Sequence, residues 1–156
     1  IITLLSETKL KIAGAKIVRV SKELAESHYS EVRERLIQKF GKEKGESIFV
    51  STIKYIQGEY HTDRVFALIY QGEDAINKIR ELAGSTNPED ASPNSIRGRY
   101  GRINSKTAVF ENVVHVSDSE ASSKREIQLW FSPEEITDNI YPTKTSKVTM
   151  DQIIWA

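Results

Sequence analysis

Residues Val65–Tyr70 (VFALIY) form an unbroken apolar run, bounded by Arg64 on one side and by Gln71-Gly72 on the other. A run this short predicts a central strand buried on both faces. Such a strand needs partners on its edges and helices on its faces, and the flanking sequence supplies both. From Lys9 to Val20 the even positions Leu10, Ile12, Val18 and Val20 are apolar and Lys9, Lys11 and Arg19 alternate with them, the period of a half-buried strand, with Gly14 and Lys16 as imperfections. Between these stretches the period is helical. Ser21 is a cap for a helix whose face carries Leu24, His28, Val32 and Leu36, ending near Gly41; after the charged GKEKGE stretch a second helix carries Ile48, Phe49, Ile53 and Ile56. Ile76, Ile79 and Leu82 form a helical stripe that stops at Gly84. Residues 1–7 resemble the last turns of an amphipathic helix. The fold class is α+β or α/β.

The 156 residues suffice for one domain with its own core, and no linker divides them. Twenty-two basic residues balance 22 acidic ones, which gives no global pull toward nucleic acid or anionic membrane. With no cysteine, disulfides, thiolate metal sites and a cysteine nucleophile are excluded. No apolar run approaches membrane-spanning length and no signal peptide is visible, so a cytoplasmic protein is the default.

After Gly84 comes a loop region, 85–111, rich in Ser, Asn, Gly, Pro and Arg. A short strand is expected at 112–116, then a helix from about Ser119 to Phe131, and from Ser132 an arm of little periodicity. In NVVHVSDSEASSKREI (residues 112–127), Ser117 and Glu120 match the S-x-x-E capping box. That box places His115 at a strand end just ahead of a helix N-terminus, where backbone N–H groups favour an anion such as phosphate. Glu126 lies about two turns into the helix, from where its carboxylate could fix the tautomer of His115 and leave the other nitrogen nucleophilic. Arg80, Arg97, Arg99 and Arg102 offer forks suited to phosphate oxygens. On residue chemistry alone two readings stand: a packed structural histidine with a solvated basic loop, or a nucleophile beside a phosphate site.

The motifs in this region resemble those of the nucleoside diphosphate kinase family: Gly84-Ser85-Thr86-Asn87-Pro88, Ser95-Ile96-Arg97-Gly98, Asn112 to Ser119, and Glu126 to Phe131. Weaker similarity runs back through KIVRVSKELAESHYSE to the first residue. The resemblance implies a ferredoxin-like βαββαβ sandwich, an antiparallel sheet with helices, over residues 1–135, with 136–156 as a C-terminal extension. It implies a ping-pong reaction in which a nucleoside triphosphate such as ATP phosphorylates His115 and a nucleoside diphosphate such as GDP takes the phosphoryl group. Mg²⁺ would ride on the nucleotide phosphates, with no protein metal site. His115 matches the phosphorylated histidine, Glu126 the carboxylate that orients it and Ser117 the serine beside it. Arg80, Thr86 and Arg97 match phosphate contacts, Asn112 the sugar contact and Tyr29 the active-site tyrosine. His28 and His61 gain no role from the match.

The family also opens with a strand leading into Lys-Pro-Asp-Gly, which these residues lack; the expectation is an N-terminally incomplete copy of a longer protein. Phe49 is the candidate for the aromatic that stacks on the base. Asn94 and Arg99 stand where glycine and an acidic residue are common, and the segment from Arg97 to Asn112 is longer than in compact members. The resemblance further implies a homo-oligomer, hexamer or tetramer. The alternative function is a non-catalytic nucleotide-binding or oligomerisation module; a nucleic-acid-binding module is disfavoured by net neutrality and by the lack of an RNP-type aromatic motif.

Overall fold

The computed structural model describes residues 1–107 and 109–149. In chain order the elements are α1 (Ile2–Ser6), β1 (Lys11–Arg19), α2 (Lys22–His28), α3 (Ser30–Phe40), α4 (Lys42–Ile56), β2 (Arg64–Gln71), α5 (Ala75–Ala83), α6 (Ile96–Tyr100), β3 (Arg102–Ile103), β4 (Phe110–Glu111) and α7 (Glu120–Trp130). The fold is α+β with antiparallel pairing, as expected. β1 pairs with β2, with Lys11 opposite Gln71 and Arg19 opposite Arg64, and an irregularity falls between Ile12 and Gly14. β3 and β4 form a separate short hairpin.

Three expectations need correction. β2 is not buried on both faces: it pairs only with β1 among the described residues, and burial alternates along it. The cross-strand neighbours Ile17 and Phe66 are 70% and 53% exposed. The strand expected at 112–116 is absent. Only Phe110 and Glu111 enter a ladder, and Val113 at φ +57° breaks the extended run that strand pairing requires. The helix read from Ser21 to Gly41 is two helices, because Tyr29 (φ −97°, ψ 15°) leaves the helical region between α2 and α3. Its cap is as expected: Ser21 accepts from the backbone N–H of Leu24. The GKEKGE stretch lies within the helical hairpin of α3 and α4. Gly45 makes that hairpin close, because a Cβ there would stand 2.7 Å from the Ile37 Cα.

Two apolar clusters hold the layers together. Val20, Ala25, Phe49 and Ile53 pack where the end of β1 meets α2 and α4; Ala13, Ile69 and Phe131 pack where β1 and β2 meet the end of α7. Each buried Ile or Phe contributes about 1.5–3 kcal/mol. Trp130 packs against both clusters, so the end of α7 joins the β1–β2 ribbon in linking them. Beyond α7, residues 135–140 fold back over β1: Thr137 donates its backbone N–H to Ala13 at 2.8 Å, Lys16 pairs with Glu135, and Ile136 and Ile140 cover the second cluster, while 150–156 of the expected extension lie outside the described residues.

Candidate active site

The loop that follows α5 is shaped by local hydrogen bonds. Gly84 closes α5 at φ +82°, a conformation glycine adopts without a Cβ clash, and donates to the Arg80 carbonyl at 3.0 Å. Asn87 caps a 3₁₀ turn at Pro88–Asp90, and Ser95 caps α6 by accepting from the Gly98 N–H at 3.2 Å. This cap sends Arg97 inward. The Arg97 side chain, in a residue 7% exposed, donates from Nη1 to the Gly84 carbonyl at 2.8 Å and from Nε and Nη2 to the Val114 carbonyl. Asn112 adds a second link, donating from Nδ2 to the Thr86 carbonyl at 3.2 Å. Burial, with the positive charge of Arg80 beside it, lowers the pKa of Arg97. Two of its five N–H donors remain free of these carbonyls.

The segment carrying His115 leaves β4 through a tight three-residue turn, in which Val114 donates to the Asn112 carbonyl at 2.7 Å around left-handed Val113. The His115 side chain is 43% exposed, and its Nε2 lies 3.0 Å from Glu126 Oε2. Ser117 donates to the same carboxylate oxygen at 2.6 Å. The capping-box expectation is therefore off by two residues: Ser119 caps α7 by accepting from the Ser122 N–H, which frees the Ser117 hydroxyl for Glu126. Burial alone would raise the pKa of Glu126, but the hydrogen bond and charge of His115 and the bond from Ser117 outweigh it, and the net shift is downward. Glu126 is an ionised acceptor, and His115 Nε2–H the donor that faces it.

Behind His115 lies His28, a helix-face residue to which the resemblance gave no role. His28 is 5% exposed and stacks edge-on against His115 with ring centroids 4.4 Å apart. Trp130 donates its indole N–H to His28 Nδ1 at 3.1 Å. Burial, reinforced by His115, pushes the His28 pKa down to about 4, so the ring is neutral. Trp130 was within reach of sequence reasoning, since it stands one helical turn beyond Glu126 on the same face of α7. Tyr29 stacks on His28 at 4.7 Å and stands 6.2 Å from the His115 ring; burial pushes its hydroxyl up to about 12. Arg125 ties α2 to α7 by donating to the Ser27 and His28 carbonyls.

The structure thus brings His115, Glu126, Ser117 and Tyr29 together, with Arg97, Asn112 and Thr86 in the adjoining loop and Arg80 near enough to act on the charge of Arg97. It does not bring Phe49 there: that ring is 7% exposed in the core, under the Arg33 guanidinium. Of the further loop arginines, Arg99 is exposed and Arg102 pairs with Glu111. Among the described residues, the group whose potential metal-ligating atoms converge is His28, His115 and Glu126. Two imidazoles and one carboxylate do not suit Mg²⁺, which prefers oxygen ligands and retained waters.

Comparison with known proteins gives this geometry its context. The sequence model of the family "Nucleoside diphosphate kinase" matches residues 1–136. A nucleoside diphosphate kinase of Staphylococcus aureus (strain JH9) is 39% identical over 142 residues, 91% of this chain and 82% of that protein. The structure is similar to that of the Borrelia burgdorferi nucleoside-diphosphate kinase, a transition-state mimic with bound vanadate and ADP, at 30% identity and TM-score 0.72, covering 92% of this chain and 83% of that one. It is similar as well to the Halobacterium salinarum enzyme in complex with CDP, at 32% identity and TM-score 0.69, covering 88% and 78%. The fold is that of an α+β phosphotransferase of ferredoxin-like class. The chain belongs to the nucleoside diphosphate kinase family.

Proposed function

We propose that the chain transfers the γ-phosphoryl group of a nucleoside triphosphate to a nucleoside diphosphate by a ping-pong route through a phosphohistidine on His115. The observation that carries this reading is the contact of His115 Nε2 with Glu126 in a ring still open to solvent. Glu126 holds the proton on Nε2, so the lone pair sits on Nδ1. That nitrogen attacks the γ-phosphorus: the N–P bond forms, the bond to the bridging oxygen breaks, and the diphosphate leaves. The phosphorylated ring is cationic until its proton is shared, and the Glu126 carboxylate offsets that charge. A second nucleoside diphosphate then attacks phosphorus with its terminal oxygen, and the ring returns to its starting state.

Mg²⁺ enters with the nucleotide as part of the substrate, neutralising phosphate charge while the protein positions the phosphoryl group. Arg80, the free donors of Arg97 and the Thr86 hydroxyl would hold phosphate oxygens, Asn112 the sugar, and Tyr29 would bound the pocket. We further propose a homo-oligomer in the cytoplasm. The exposed apolar pair Ile17 and Phe66 supports an interface on the β1–β2 ribbon, and the described residues contain no helix long and apolar enough to cross a membrane.

The test is phosphoryl transfer to the protein itself. With γ-labelled ATP and Mg²⁺, the chain is expected to take up acid-labile, base-stable label that chases onto GDP, and His115→Ala is expected to take up none. A folded, nucleotide-binding chain that stays unlabelled would sink the catalytic reading in favour of a binding module.

A further inference from the structure

The phosphoryl-transfer scheme leaves His28 without a task. Its ring is nevertheless buried against His115, and ligating atoms of His28, His115 and Glu126 lie within 4.8 Å of one another. Two imidazoles and a carboxylate form a donor set that suits borderline transition metals, Zn²⁺ foremost. Solvent reaches His115, which leaves room for a water as fourth ligand.

One contact opposes occupancy and sets the direction of any test. The indole N–H of Trp130 is a donor only, so with His28 Nδ1 as its acceptor the His28 proton must sit on Nε2. A metal needs a lone pair on the nitrogen it takes. If it takes Nδ1, it displaces the indole. If it takes Nε2, the proton moves to Nδ1, where it meets the indole N–H head-on. In either case the Trp130 bond is lost.

We propose that His28, His115 and Glu126 form an inhibitory site for a Zn²⁺-class ion, held at low affinity by the hydrogen bond from Trp130. On His115 the metal takes Nε2, the nitrogen now facing Glu126, and the ring proton moves to Nδ1. No proton need leave the protein, and the nitrogen that would attack phosphorus no longer has its lone pair. Metal loading and phosphorylation are therefore mutually exclusive. This blocking effect rests on the phosphohistidine reading; metal binding does not.

The experiment uses the full chain without a metal-binding tag, titrated with Zn²⁺ by calorimetry and with Co²⁺ by its visible absorption. Labelling by γ-labelled ATP is measured in parallel. One ion is expected per chain, with loss of labelling as the site fills. His28→Gln is expected to weaken binding about tenfold or more. Trp130→Phe is expected to tighten it by about fivefold to tenfold, the value of one hydrogen bond no longer broken. A damaged fold would lose affinity, so tighter binding in the Phe variant cannot come from misfolding. Equal Zn²⁺ affinity in His28→Gln and the parent, or weaker binding in Trp130→Phe, would overturn the site. Metal binding with the expected pattern in a chain that never takes label would leave the site standing and remove its inhibitory role, together with the phosphohistidine reading.

Discussion

The guanidinium of Arg97 grips the carbonyl of Val114, the residue directly before His115, with Nη2 at 3.1 Å and Nε at 3.3 Å. Its third bond, to Gly84, makes it the joint between the α5 terminus and the histidine segment. Lysine has charge but no fork, and cannot serve both carbonyls. Arg97→Lys is expected to lower thermal stability by about 1–3 kcal/mol, the cost of leaving a buried carbonyl unmet. It is also expected to slow label uptake. Unchanged melting and labelling would refute the joint.

Glu126→Gln keeps the size of the side chain and removes its charge. An amide can present its NH₂ to His115 Nε2 and so favour the proton on Nδ1, the wrong nitrogen for attack. Label uptake is expected to fall on the order of 10²-fold with nucleotide affinity nearly unchanged. A fall in affinity without a fall in rate would place Glu126 in binding instead.

Acid should destabilise the fold in two stages. His28 titrates near 6.5 when unfolded and is held down to about 4 in the fold. Between those values the unfolded state binds the extra proton, so stability declines as pH falls from about 6.5 to 4, by on the order of 3 kcal/mol in total. Glu126, whose pKa is lowered, adds its own loss only as pH falls below the ordinary carboxylate value of 4.5. Denaturant unfolding across pH 4–7 checks the first stage. His28→Gln is expected to flatten that slope; a slope that persists would assign the proton to another group.

Gly84→Ala is expected to cost about 1–3 kcal/mol. Its φ of +82° strains any side chain, and the added Cβ would stand 2.7 Å from that of Ser95. Because Arg97 holds the Gly84 carbonyl, labelling should slow as well. A variant that melts with the parent would show that the turn relaxes freely.

Local spacing made much of this legible. Ser21 before an apolar-periodic stretch marks α2, Gly84 ends α5, and the alternation from Lys9 to Val20 gives β1, since caps and periodicity are short-range properties. The His115, Ser117 and Glu126 cluster was readable because a motif stores it within one strand-to-helix passage. What stayed hidden depends on distant partners. His28 meets Trp130 across 102 positions, and no local pattern announces that contact. Phe49 has the spacing of any amphipathic helix, and only packing tells a core ring from a base platform. The valines at 113 and 114 favour a strand by propensity, yet strand formation also requires a partner, which none of the described residues provides.

The arm across β1 has a consequence for the order in which the protein comes into being. Ala13 and Thr137 are bonded across 124 positions, so β1 waits for chain that a ribosome delivers long after β2 is finished. At about 5–20 residues per second, the stretch from Gln71 to Thr137 takes roughly 3–13 s to emerge. For most of that interval Ala13 and Ile69 lack the Phe131 ring and the Ile136 and Ile140 side chains that bury them. A nascent β1–β2 ribbon thus exposes during synthesis the apolar surface that the end of α7 and residues 136–140 later cover.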